Sequence, residues 1–119
     1  MQNIQQYTKD CLASQIVFII LGYMVIKLDK DNLSDYMSED QLIVFYKTDW
    51  CNSCRKQLPN LYNIPDDYTV VIVDAERHIR SSKFMPGGVK AYPTIAYFEK
   101  GYFRCEYNSF ELEKIKDQL

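Results

Sequence analysis

Residues 42–56, Leu-Ile-Val-Phe-Tyr-Lys-Thr-Asp-Trp-Cys-Asn-Ser-Cys-Arg-Lys, restrict the possible folds of this chain more than any other stretch. Leu42–Tyr46 is an apolar run that reads as a buried strand. After Cys54 the apolar residues Leu58, Leu61 and Tyr62 take up helical spacing. The two cysteines therefore fall where strand gives way to helix. A helix's first turn leaves backbone N–H groups unpaired and carries the positive end of the helix dipole. A cysteine there has a lowered pKa and is partly thiolate near neutral pH. Cys51 is placed to be that nucleophile. Cys54, about one turn on, lies on the same face and can form a readily exchanged disulfide with it.

Size and charge limit the alternatives. A chain of 119 residues with 47% hydrophobic content supports one compact domain and one core. The net charge of −2 mixes both signs along the sequence, and Arg55-Lys56 is the one basic cluster in it, so no nucleic-acid partner is expected. Four cysteines with a single close pair do not make a disulfide scaffold, whose cysteines are spread along the whole chain. A zinc site needs two further ligands near Cys51 and Cys54, and Cys11, His78 and Cys105 lack ligand spacing, so no metal is expected.

The N-terminal segment, residues 1–24, is set apart from a domain spanning 25–119. Cys11–Ile26 carries no charge, which is short for a spanning helix of about 20 residues and long for a signal peptide's apolar region of about 7–15. The run lacks a basic start and a small-x-small cleavage site. A helix packed on the domain is the other reading, although Ile16–Leu21 leaves it no polar face. The expectation is a membrane anchor or signal-like segment, giving membrane association through residues 11–26 and a membrane-anchored or secretory-type compartment. A cytoplasmic protein is the alternative.

Beyond it, Val25–Leu28 reads as a first strand, and Asp31 as the cap of a helix bearing Leu33, Tyr36 and Met37. Pro59 should kink the helix that starts near Cys51. Thr69–Val73 is continuous enough to be buried on both faces, giving a parallel strand-helix-strand unit. Glu76–Lys83 reads as a short helix ended by Met85-Pro86-Gly87-Gly88. Thr94–Phe98 and Tyr102–Tyr107 form a hairpin, with Gly101 at the position of positive φ. Ser109 caps a final helix lined by Leu112, Ile115 and Leu119. His78 is read as a surface residue and Cys105 as a buried thiol, with Tyr97, Tyr102 and Tyr107 packing on their strands.

From Val25 to Leu119 the sequence resembles the thioredoxin superfamily, including the domains of protein disulfide isomerases. Four features carry the resemblance in order and spacing: Val25–Leu28 with Asp31-Asn32-Leu33, Trp50-Cys51-x-x-Cys54-Arg55, Pro59, and Val89-Lys90-Ala91-Tyr92-Pro93-Thr94-Ile95 followed by Gly101. It implies an α/β thioredoxin fold, a central mixed sheet flanked by helices. It also implies a thiol–disulfide oxidoreductase acting on protein thiols and disulfides together with a redox partner, and using no cofactor beyond its own cysteine pair. In that family Cys51 would attack a substrate disulfide and Cys54 would resolve the mixed disulfide. Pro93 would be cis, with Trp50, Tyr92 and Thr94 meeting a substrate peptide added as a strand.

The sequence departs from the family at the position of thioredoxin's buried aspartate, which is Phe45 here, with Lys47 where a second aromatic is common. Asp49 or Lys47 are the candidate replacements for the missing proton acceptor. Asn52-Ser53 between the cysteines matches neither thioredoxin nor the isomerases, so the direction of electron flow is left open. A non-catalytic module that holds a partner in the Trp50 and Pro93 groove is the alternative function.

Overall fold

The computed structural model describes residues 25–64 and 67–108. Its frame is a five-stranded mixed sheet of β1 (Val25–Lys27), β2 (Leu42–Lys47), β3 (Thr69–Asp74), β4 (Thr94–Glu99) and β5 (Tyr102–Tyr107), in the order β1-β3-β2-β4-β5. The first three strands are parallel, with Phe45 opposite Ile72 and Lys47 opposite Asp74. β4 runs antiparallel to β2 and to β5. β2 and β4 are central and covered on both faces, which is why their sequences read as unbroken apolar runs. β5 lies at an edge and alternates, with Cys105 and Tyr107 buried and Tyr102, Arg104 and Glu106 exposed.

Because neighbouring residues on a strand face opposite ways, the sheet separates two apolar clusters. On one face Ile43, Phe45, Val70, Ile72, Ile95 and Tyr97 pack with Leu61, Ile64 and both active-motif cysteines. On the other, Leu42, Val44, Tyr46, Val71, Val73 and Phe98 pack with Leu28, Leu33 and Met85. The redox motif thus closes one layer of the core directly.

The helical elements are shorter than their sequence spacing predicts. After α1 (Asn52–Gln57) the chain tightens into the 3-10 helix Leu58–Asn63. Pro59 stands in its first turn, where it has no N–H to give to an α-ladder. The expected helix over Glu76–Lys83 is a single turn, α2 (Ile79–Ser82). Asp31 does not cap the element that follows it, a 3-10 turn over Leu33–Tyr36 preceded by Asn32. Instead it reaches about fifty positions along the chain, accepting from the backbone N–H groups of Arg80 (2.9 Å) and Ser81 (2.8 Å) and from the Ser81 hydroxyl (2.7 Å). Ser81 Oγ accepts from Leu33 N (3.1 Å), and the Ser81 carbonyl accepts from the Tyr46 phenol (2.9 Å). Burial pushes the Tyr46 phenol well above its usual pKa, so it stays a neutral donor. One serine therefore ties three segments together.

This network gives a stability prediction. Burial raises the Asp31 pKa, but hydrogen bonds from Ser81 and Arg80 outweigh it and hold the carboxyl below its ordinary 3.8. A lowered folded pKa means stability that is present above the unfolded value and lost as pH falls through the folded one. Asp31→Ala is expected to cost about 2 kcal/mol at pH 7, with the gap from wild type closing as pH drops below about 4. Urea unfolding of both proteins at pH 7 and pH 3 measures this directly.

Three other positions differ from their sequence reading. His78 is buried, at 8% exposure, because its backbone N–H donates to the Asp74 carbonyl (2.8 Å) and draws the turn inward. Tyr102 is 75% exposed, since it starts the edge strand on its open face. In the hairpin turn Lys100 (φ 51°) as well as Gly101 (φ 88°) is left-handed, and a Cβ on Gly101 would press on the Met37 carbonyl at 3.3 Å. Cys105 is buried mid-strand as read, but it is disulfide-bonded and not a thiol, and no free cysteine occurs among the described residues. The helix expected after Ser109 and residues 11–24 of the apolar run lie outside the described residues. The last two of that run, Val25 and Ile26, belong to β1. No helix among the described residues is long and apolar enough to cross a membrane.

Candidate active site

β2 delivers Lys47 to the C-terminal end of the parallel strands, beside Asp74 of β3, and the chain turns through Thr48-Asp49-Trp50 into α1. The turn is held by Cys51 N donating to the Thr48 carbonyl (3.3 Å). The Arg55 guanidinium donates to the Asp49 carbonyl (2.6 Å) and to Asn52 Oδ1 (2.8 Å). Cys51 is the helix N-cap, in extended conformation (φ −86°, ψ 106°), and its sulfur accepts from the Cys54 N–H (3.1 Å). A side-chain oxygen normally fills this role, satisfying one of the donors a helix start leaves open. Here that donor is aimed at sulfur.

Cys51 and Cys54 are joined as a disulfide, with Cα atoms 5.3 Å apart. Both are buried, at 5% and 1% exposure. In this state the Cys51 sulfur is neutral. Once the bond is reduced, the same N–H and the helix dipole point at a thiolate, a charge-assisted arrangement that favours the ionised form.

Trp50 sits outside this pair and is 62% exposed. Its indole N–H donates to Glu76 Oε2 (3.0 Å), and its ring meets Tyr92 edge to face, centroids 5.8 Å apart. Glu76 is itself set in place by Asp74, whose Oδ1 accepts from Glu76 N (3.1 Å) and Arg77 N (3.3 Å). Tyr92 also packs against the cluster that holds Cys51 and Cys54. It precedes Pro93 through a cis peptide, and Pro93 and Thr94 are buried. The Thr94 hydroxyl donates to the Ala91 carbonyl (2.7 Å). The fold therefore brings the Trp50-Cys51 turn against the Tyr92-Pro93 loop from about forty residues away.

The two candidate proton acceptors are bound to each other. Lys47 Nζ lies 2.9 Å from Asp49 Oδ1 and 3.8 Å from Asp74 Oδ2. The hydrogen bond and charge of Lys47 hold the Asp49 carboxyl below its ordinary pKa, making it a weaker base than a free aspartate. Phe45, fully buried against Ile72, supplies no ionisable group. Glu76 and Asp74 escaped the sequence reading because they lie more than twenty residues from Trp50 and belong to no local motif.

With this geometry in place, comparison with known proteins is informative. The family model for thioredoxin matches residues 24–119. The chain is 28% identical over 89 residues to protein disulfide-isomerase A5 of Bos taurus, covering 67% of this chain and 17% of that protein. It is 30% identical over 76 residues to the Mus musculus protein of the same name, covering 60% and 15%. The chain thus spans about a sixth of the length of these relatives. Among solved structures, the thioredoxin of Malassezia sympodialis superposes with a TM-score of 0.67 at 15% identity, covering 86% of this chain and 96% of that one. Oxidised thioredoxin O2 of Arabidopsis thaliana gives 0.64 at 20% identity, covering 81% and 94%. These structures share the fold.

Proposed function

Because the chain belongs to the thioredoxin family, we propose that it is a thiol–disulfide oxidoreductase acting on protein thiols and disulfides through Cys51 and Cys54. The observation that carries this reading is the Cys54 N–H aimed at the Cys51 sulfur at a helix cap, within a pair already able to bond. In the reducing direction, the Cys51 thiolate attacks one sulfur of a substrate disulfide. A Cys51–substrate disulfide forms and the other substrate sulfur leaves as thiolate. Cys54, having lost its proton to solvent, then attacks the Cys51 sulfur, closing the internal disulfide and releasing the second substrate thiolate. Two electrons pass from the pair to the substrate, and the reverse sequence oxidises a substrate dithiol. The cysteine pair itself carries the electrons, so no separate cofactor enters.

Trp50, Tyr92, Pro93 and Thr94 form the docking rim for the substrate chain in this reading, supported by the ring contact that joins the two loops. Trp50→Ala is expected to leave stability within about 0.5 kcal/mol, because the ring is largely exposed. It should slow exchange with a protein disulfide about tenfold while changing the reaction with oxidised glutathione by less than about threefold. Equal slowing of both substrates would remove Trp50 from the docking rim. The division into an apolar leader, residues 1–24, and a domain from residue 25 is also part of the proposal, and the family match beginning at residue 24 supports it. The leader's proposed role is to direct the domain to a membrane or secretory-type compartment.

The direct test of function is catalysed reduction of a disulfide-bonded protein by dithiothreitol. The reading expects a rate well above the uncatalysed one that depends on both cysteines. A rate equal to the uncatalysed one overturns it.

A further inference from the structure

The folded chain sorts its charges in a way the sequence does not. Arg55 and Lys56 on α1 are joined at the active-site end by Arg77, next to the Trp50-binding Glu76, and by Lys90, two residues before Tyr92. All four are exposed. The ion pairs among the described residues are Lys47–Asp49, Lys47–Asp74 and Arg104–Glu99, and they include none of these cations. The acids at this end are Asp49 and Asp74, which both face Lys47, Glu76, which holds the Trp50 indole, and Glu106, which lines a pocket with Lys90; with Lys47 counted, five cations stand against these four acids. Arg77 is set at this end by its backbone N–H, which donates to Asp74 Oδ1 (3.3 Å), and by its neighbour Glu76, which holds the Trp50 indole.

The other end of the sheet carries the opposite sign. Asp40, Asp67 and Glu99 line a cavity of about 720 Å³ with Gln41, Lys100, Tyr102 and Arg104, beside the start of β2 and the β4–β5 turn. Six-residue strands separate that end from the cysteines by roughly 17–20 Å, more than two Debye lengths at physiological salt. A molecule of net charge −2 therefore presents a locally cationic face around its reactive sulfur.

We infer that the Cys51–Cys54 site selects disulfides set in acidic polypeptide segments, whose carboxylates lie against Arg55, Lys56, Arg77 and Lys90 while the chain crosses Trp50 and Tyr92. This inference rests on the thiol–disulfide reading and names its substrate class. An acidic peptide fits better than a nucleic acid because the cations surround a sulfur whose reaction partner must be a cysteine. Unpaired charges at a rim act mainly on the encounter rate and make it salt-dependent.

The test uses the full chain and two disulfide peptides of equal length, one flanked by glutamates and one by lysines. Exchange rates and the binding of cysteine-free versions are measured from low to high salt. The acidic peptide is expected to react about tenfold or more faster at low salt, with the advantage shrinking toward parity at about 0.5 M salt. The triple variant Lys56→Glu, Arg77→Glu, Lys90→Glu should reverse the order, its fold checked by thermal unfolding. Arg55 is left in place because its guanidinium braces the Asp49 turn. Equal rates for both peptides at low salt, or a preference that ignores salt, overturn the inference. Tight salt-dependent binding of DNA without peptide preference also overturns it. If neither peptide exchanges but the acidic one still binds more tightly and the variant loses that binding, the docking surface stands and the redox reading fails.

Discussion

Replacing Cys51 by Ser should lower the rate of disulfide exchange by at least about three orders of magnitude. The loss is chemical, because serine keeps the local fold. Its hydroxyl can accept the Cys54 N–H as the sulfur does now, and serine is a preferred cap residue. A hydroxyl in the same place has far too high a pKa to be ionised near neutrality and is a weaker nucleophile toward sulfur. The variant also loses the internal disulfide. Closing so small a loop stabilises the protein by at most about 2 kcal/mol on chain-entropy grounds, so Cys51→Ser should match the reduced wild type in stability rather than the oxidised one. Stopped exchange together with a reduced-like unfolding midpoint is the expected pair of results. A non-catalytic module that merely holds a partner in the Trp50 and Pro93 groove predicts instead that function survives the substitution.

The largest effect on stability is expected at Phe45. This ring is fully buried between the sheet and α1, opposite Ile72 on one neighbouring strand and Ile95 on the other, in the cluster that contains both cysteines. Phe45→Ala removes the ring's burial and leaves a void that close-packed β-branched neighbours cannot collapse to fill. The cost is expected at about 3–5 kcal/mol. Against a typical total of about 5–15 kcal/mol, that leaves a marginal domain with a mobile floor beneath Cys54. Chemical denaturation should show the midpoint falling with the slope unchanged. A loss below about 1 kcal/mol would mean that the site does not rest on this apolar layer.

What could be read in the sequence followed from locality. The buried strands β2 and β3 are apolar because both faces of the sheet are covered, and the cysteine pair announces itself by spacing alone. Pro59 marked the change of helix type because the missing N–H acts on its own segment. Contacts across the chain left no such trace. Asp31 looked like a helix cap because it precedes an amphipathic stretch, yet its carboxylate is used by Arg80 and Ser81, brought near by the β3-to-α2 crossover. Glu76 fixing Trp50, and Arg77 and Lys90 joining Arg55 and Lys56, depend on which loops meet at one end of the sheet. His78 reads as a polar surface residue until the Asp74 turn draws it under. The family resemblance placed the Tyr92-Pro93 loop near the cysteines, which no periodicity could do.

The most direct test of the central claim is a redox titration of the full chain in glutathione buffers, following the fluorescence of Trp50, the sole tryptophan. The account predicts one reversible two-electron transition, confirmed by mass as closure of the Cys51–Cys54 bond and absent from Cys51→Ser and Cys54→Ser. Its midpoint, set against the glutathione poise, also fixes the direction in which the pair works. A chain whose Cys51 and Cys54 stay bonded, or stay open, across the whole range of buffers would contradict the account.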